Sequence, residues 1–149
     1  MSIKQLKPSR NSRFKQGYYD VSNSAKYCGT TECIYRSGLE KKFFDFFENN
    51  ERIEKWESEP ENCSVKYFYK GKLRTYWIDA SFFANGKTFI AEIKPFAQTK
   101  PPKDSRNPIT NKRALDTYEQ NIAKWEAATK WAETQGYTFI ILTEKFFDR

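Results

Sequence analysis

The chain contains no histidine, and that absence removes more chemistry than any other feature of its composition. A Ser-His-Asp triad, a Cys-His pair and an imidazole general base are all impossible. Acid–base work by such a protein falls to Asp, Glu, Lys, Tyr or a water held by a metal ion. Cysteine is scarce too: Cys28, Cys33 and Cys63 are an odd number, read as free thiols in a reducing compartment. Zinc would have to bind through cysteine and carboxylate alone, so neither zinc nor an organic cofactor is expected. No apolar run approaches the roughly 20 residues that cross a bilayer. The opening stretch, MSIKQLKPSRNSRFKQ, has no apolar signal core. Together these predict an intracellular protein with no membrane partner.

What is present is one domain's worth of chain. At 149 residues it can bury about 68–70% of its unfolded surface and needs no staple to fold. Aromatic residues make up 17% of it, with 13 Phe, 9 Tyr and 4 Trp, which is a globular composition and not a disordered one. The net charge of +7 and pI of about 9.2 point to a polyanionic partner, nucleic acid first. A soluble basic protein without such a partner is the plain alternative.

Residues 1–30 read as a basic, largely irregular arm, and residues 31–149 as a single domain. Lys4, Lys7, Arg10, Arg13 and Lys15 precede the first acid, Asp20. Phe14, Tyr18, Tyr19 and Tyr27 suggest that parts of the arm dock on the body, while a solvated tail fits residues 1–12 equally well. Basic residues interleaved with aromatics suit phosphate contact and base stacking. YRSGLEKKFFDFFENNER then predicts a helix capped by Ser37, with Phe43, Phe44 and Phe47 on one face, Phe46 beside it, and an exit at Asn49 and Asn50. The runs IEKWESE, CSVKYFYK, LRTYWIDASFF and KTFIAEIK predict an antiparallel meander of three or four strands, with Asn85-Gly86 as a hairpin turn. A proline-rich loop at 95–110 precedes a long helix on which Leu115, Tyr118, Ile122, Trp125 and Ala132 follow helical spacing and which Gly136 ends. YTFIILTE reads as a buried strand beside the hairpin. The order α-β-β-β-β-α-β predicts an α/β (mixed α+β) fold, a mixed sheet of about four or five strands flanked by helices.

Two places break the apolar pattern. Glu92 and Lys94 sit in a strand otherwise made of Thr88, Phe89, Ile90, Ala91 and Ile93, and they share one face because side chains alternate. Asp79 lies in the preceding aromatic run, where the hairpin would set it across from Glu92. Glu40 opens the aromatic stripe of the first helix. Two close carboxylates in apolar surroundings repel and are poorly solvated, and a hard cation such as Mg²⁺, bound by one or two carboxylates plus waters and phosphate oxygens, removes that cost. The Ile93 carbonyl, between Glu92 and Lys94, is a further candidate ligand, with Glu40 joining directly or through a water. Lys94 would orient or deprotonate the attacking water, or neutralise charge on a phosphate. The alternatives are a first-turn glutamate that complements the helix dipole and an edge hairpin whose acids and lysine pair as surface charges.

Asp79, Glu92-Ile93-Lys94 and an upstream helical Glu40 resemble the PD-(D/E)xK nuclease superfamily, which has the restriction-endonuclease-like fold. Arg36-Ser37-Gly38-Leu39-Glu40 is similar to the corresponding helix of phage junction-resolving endonucleases and TnsA-type transposon endonucleases, and the likeness runs from about Arg36 to Thr143. Ile78 stands where the superfamily has a proline before its first acid. MSIKQLKPSRNSRF and the EIKPFAQTKPP loop resemble, more narrowly, the head completion nucleases of large contractile-tailed phages. The resemblance implies metal-dependent endonuclease, and also exonuclease, action on double-stranded DNA, with Mg²⁺ or Mn²⁺ as its substitute. It implies portal or neck proteins as partners, and a place in the infected host's cytoplasm and at the head–tail vertex of the virion. Under this reading Glu40, Asp79, Glu92 and Lys94 are catalytic. Lys4, Lys7, Arg10, Arg13, Lys15, Arg36, Lys100, Lys103, Arg106, Lys112 and Arg113 hold the DNA backbone, without strong sequence preference. A structural DNA-binding or head–tail joining protein and a junction-specific nuclease are the competing functions.

Overall fold

A computed structural model describes residues 16–148. Its strands are β1 (Gly17–Tyr19), β2 (Cys33–Tyr35), β3 (Ile53–Ser58), β4 (Ser64–Tyr69), β5 (Lys72–Trp77), β6 (Ala80–Ala84), β7 (Lys87–Ile93) and β8 (Thr138–Leu142), and its helices α1 (Gly38–Asn49) and α2 (Pro108–Gln135). The central sheet has the order β3-β6-β7-β8. Its first three strands are antiparallel, and β8 returns parallel to β7 after the α2 crossover. That is the mixed sheet flanked by helices which the sequence predicts.

Local signals set the element ends. Ser37 caps α1 by accepting from the Glu40 N–H, and Asn50 closes it. Asn107 caps α2, Pro108 fills its first turn, and Gly136 ends it in the left-handed conformation at φ 73°. Asn85 and Gly86 both have positive φ, 53° and 75°, as a two-residue turn matched to strand twist requires.

The meander is interrupted. LRTYWIDASFF does not form one strand: it divides at Ile78 and Asp79, its first half pairing with β4 and its second with β3 and β7. The Ile78 N–H turns to the Cys63 carbonyl at 3.3 Å, and the Asp79 carbonyl accepts from Glu59 N at 2.8 Å, so the chain changes sheets at that point. YTFIILTE also differs from expectation. β8 is an edge strand, and only Leu142 in it is fully buried. Leu115 follows helical spacing yet is exposed, because the buried face of α2 runs through Asn121, Trp125, Ala128 and Ala132.

The sheet separates two apolar cores. On the α1 side, Phe43, Phe44, Phe47 and Trp56 pack with Ala80, Ala91, Ile93 and Leu142. On the α2 side, Val65, Tyr67, Tyr76 and Ile78 pack with Ile90, Trp125, Ala128 and Ala132. Part of the segment 16–30 joins the first core: β1 pairs with β2, and Tyr27 packs edge-on to Trp56 at 4.7 Å, whereas Tyr18 is exposed. The cysteines are free, and burial pushes the Cys33 thiol up to about 11.

Phe47 is fully enclosed, 5.5 Å from Trp56 and 5.1 Å from Phe82 between ring centres, whereas Phe68 is 72% exposed. Phe47→Ala is therefore expected to cost ~3–5 kcal/mol and Phe68→Ala ~0.5 kcal/mol or less, read from urea unfolding midpoints.

Candidate active site

The site forms at the end of the sheet where β6 begins and β7 finishes. Ala80 pairs with Ala91, so the register carried one residue further sets Asp79 opposite Glu92. Asp79 Oδ2 accepts from the Ile93 N–H at 2.9 Å. A strand residue's N–H and C=O point to the same edge, so the Ile93 carbonyl also faces the Asp79 side. Ile90 belongs to the α2-side core while Ala91 and Ile93 belong to the other, so Glu92 and Lys94 project with Ile90 toward α2. Glu92 is buried; its Oε1 lies 3.3 Å from Lys94 Nζ, and its Oε2 accepts from the Tyr76 hydroxyl. Glu40 comes from the other layer, carried to the sheet end by the first turn of α1.

The electrostatics show that these acids feel one another. Asp79 retains some solvent contact, yet its carboxyl sits deep among protein atoms. Burial raises its pKa well above the ordinary carboxylate range, and Glu92 and Glu40 push it further, against the Ile93 N–H and Lys94. Glu40 is raised to about 7, first by burial, with Glu59 and Glu92 adding and the Arg36 N–H opposing. A solvated first-turn glutamate would not be raised. Glu40 does behave as a helix-start acid in one respect, since its Oε1 accepts from Arg36 N at 3.2 Å, but it does so inside an acidic cluster. The Tyr76 hydroxyl is also strongly raised, by burial and then by Glu92 and Asp79, and so stays a donor.

Three carboxylates thus face one ammonium, Lys94. Among the described residues no three Cys, Asp or Glu side chains stand as a ready-made metal cage. Tyr76 and Lys94 hold both Glu92 oxygens in place. The donor set still fits a hard cation: oxygen ligands only, two carboxylates and a carbonyl on one edge, and uncompensated negative charge. Mg²⁺ needs no closed protein cage, because waters and phosphate oxygens complete its shell.

The residues assigned to DNA scatter more widely. Lys4, Lys7, Arg10, Arg13 and Lys15 lie outside the described residues. The Arg36 side chain is engaged with Glu59, Nε to Oε1 at 2.7 Å, which places it beside the acids and not on an open basic face. Lys112 stands 3.5 Å from Asp116, one turn along α2. Lys100, Lys103, Arg106 and Arg113 are exposed on the proline-rich segment and the start of α2. The structure adds two residues that sequence reasoning missed. Tyr76 could have been found only by knowing that β5 crosses beneath β7. Glu59, which bonds Arg36 through its side chain and Asp79 through its N–H, has a positive φ of 46° that no sequence signal announces.

A mixed sheet whose hairpin carries an acid at its break and a Glu-x-Lys triplet on the next strand is the restriction-endonuclease-like fold. The chain belongs to the TnsA-like endonuclease N-terminal family, matched by residues 50–144. It is 37% identical over 137 residues to the head completion nuclease of Enterobacteria phage T4, covering 86% of this chain and 90% of that protein. The family segment contains Asp79, Glu92 and Lys94 and starts after α1, so Glu40 stands outside it.

Two predictions follow from the charge crowding. Asp79→Asn keeps an acceptor for the Ile93 N–H while removing one charge, so its Tm in EDTA is expected to equal or exceed that of the wild type; a fall of many degrees would mark Asp79 as a structural ion-pair partner. Glu40 has a folded value of about 7 against 4.5 unfolded, so the fold favours its protonated form. Its stabilising contribution is complete below the unfolded value and is lost as pH rises through the folded one. Metal-free Tm should fall from about pH 5 to about pH 8, and Glu40→Gln should flatten that slope.

Proposed function

We propose that the protein is a divalent-cation-dependent DNA endonuclease of phage head completion, cutting phosphodiester bonds at the Glu40–Asp79–Glu92–Lys94 site. The observation that carries this reading is the meeting of Asp79, Glu92 and Lys94 on one sheet end, with Glu40 close enough to raise the Asp79 pKa. Family membership and the T4 relative's name support the reaction class and the setting. A portal or neck partner and additional exonuclease action belong to the same reading.

Asp79, Glu92 and the Ile93 carbonyl would hold Mg²⁺, or Mn²⁺ in its place, with Glu40 joining directly or through a water. A bound ion of this kind supplies Lewis-acid polarisation of the scissile phosphate. The chain's own groups do the rest. Asp79 is positioned by the Ile93 N–H on its side chain and by Glu59 N on its carbonyl. Tyr76 donates to Glu92 Oε2 and so fixes which way the carboxylate presents its other oxygen. Lys94 Nζ lies 3.3 Å from Glu92 Oε1 and would hydrogen-bond the attacking water or a phosphate oxygen as negative charge develops there. The exposed cations of the proline-rich segment and the start of α2 bind phosphates regardless of base sequence.

Linear and circular duplex DNA incubated with Mg²⁺ should both be cut, and EDTA should stop the reaction. Asp79→Asn and Lys94→Ala should each lower the rate ~10²-fold or more. Cleavage that persists in EDTA, or equal cleavage by both variants, would leave a DNA-binding or head–tail joining scaffold as the function.

A further inference from the structure

A groove of about 620 Å³ runs between the segment after Lys94 and the first half of α2. Lys100 and Pro102 line one wall, and Arg113, Tyr118 and Asn121 line the other. Asn121 is 7% exposed, and its amide bonds no other described residue. Its polar atoms keep contact with solvent, so the amide is open to a ligand entering the groove. Tyr118, half-buried one turn earlier, likewise has no ring or hydroxyl partner among the described residues. Arg113, five residues earlier, has no acidic partner among them. The Lys100 ammonium lies 5.2 Å from the Phe96 ring centre and pairs with no carboxylate among the described residues.

We propose that this groove seats one unpaired nucleotide of the DNA strand whose phosphodiester lies at the acid site. The proposal rests on the nuclease reading and specifies its substrate as DNA with unpaired or frayed ends. A nucleotide is an anion, a planar heterocycle and an edge of donors and acceptors, and the groove offers a match for each. Arg113 and Lys100 take the phosphate. Tyr118 offers a ring for stacking, a contact every base can make. Asn121 offers a donor and an acceptor to the edge that pairing would otherwise occupy, as amide side chains do with bases. A duplex base pair presents no such edge to a pocket floor, so the occupant must be unpaired. A short chain of side chains leads from the groove toward the acids. Asn121 lies one turn before Lys124, whose ammonium is 5.7 Å from the Tyr76 ring centre, and Tyr76 donates to Glu92.

The test is equilibrium binding in EDTA, where nothing is cut. The fluorescein-labelled probes are a short blunt duplex, the same duplex with unpaired ends, and the latter with its unpaired bases replaced by abasic sites. The wild type should prefer unpaired ends about tenfold over both other probes, the range that base–aromatic stacking supplies. Tyr118→Ala and Asn121→Ala should each bring the unpaired-end and blunt probes to equal affinity. Asn121→Ala should not lower Tm, since the amide has no partner to lose, and Tyr118→Ala provides the same reading from the groove wall. Equal wild-type affinity for the three probes, tight binding of the abasic probe, or a preference retained by both variants would overturn the seat. Failure of the nuclease reading shows separately, as absence of Mg²⁺-dependent cleavage with the binding preference intact.

Discussion

The structure turns on a repulsion that is held in place. Asp79, Glu92 and Glu40 come together at one end of a sheet, and the Asp79 and Glu40 carboxyls are driven toward their neutral forms by burial and by neighbouring carboxylates. Left alone, such groups would separate into solvent. Each is instead tied by main-chain geometry: Asp79 to the Ile93 N–H, Glu40 to the Arg36 N–H, and Glu92 by its position in a strand flanked on both sides. The rigid sheet keeps charges where a solvated loop would let them drift, and pre-set charge of this kind is what makes electrostatic stabilisation of a reaction inexpensive at the moment it occurs.

The energy that offsets the crowding comes largely from the opposite face. Phe43, Phe44, Phe47 and Trp56 are completely enclosed, and they pack on the alanines of β6 and β7 and on Ile93. Because alternate residues point to opposite sides, the strand that places Glu92 and Lys94 toward α2 also places Ala91 and Ile93 toward the aromatic core. The seven-residue strand and the residue after it therefore anchor the fold with one parity and present Glu92 and Lys94 with the other. The Arg36–Glu59 pair adds a brace: Glu59 holds the Asp79 carbonyl, and Arg36 supplies the N–H that Glu40 accepts.

What could be read from the chain was local. Ser37, Asn50, Asn107 and Gly136 mark helix ends through bonds made within a few residues, and Asn85-Gly86 fixes a hairpin whose register follows from its turn. The placement of Asp79 against Glu92 was legible for that reason, because only one turn separates them. The break at Ile78 was not, since it depends on Cys63 and Glu59 reaching in from a different strand pair. Tyr76 was missed for the same cause: it reaches Glu92 only because the β4–β5 ribbon folds across the sheet. Helical spacing marked Leu115 as apolar, but nothing beyond local period reveals that α2 outruns the surface it covers.

Glu40 sharpens the point, because it comes from a helix outside the family segment. A glutamate three residues after a capping serine is ordinary helix-start chemistry, and the Ser37 and Arg36 contacts show it doing that work. Such an acid gains from the helix dipole, and that gain is at most about 1 kcal/mol. Burial beside Glu59 and Glu92 acts against the charged form more strongly, since the net direction of its shift is upward. The capping role alone therefore does not account for the burial of this side chain. Among the described residues Lys94 is the cation that opposes the Asp79 shift, and Arg36 is matched to Glu59. In the proposed reading a divalent ion brought together with DNA would supply further positive charge, and the helix start is held at the sheet end to help set the charge that receives it.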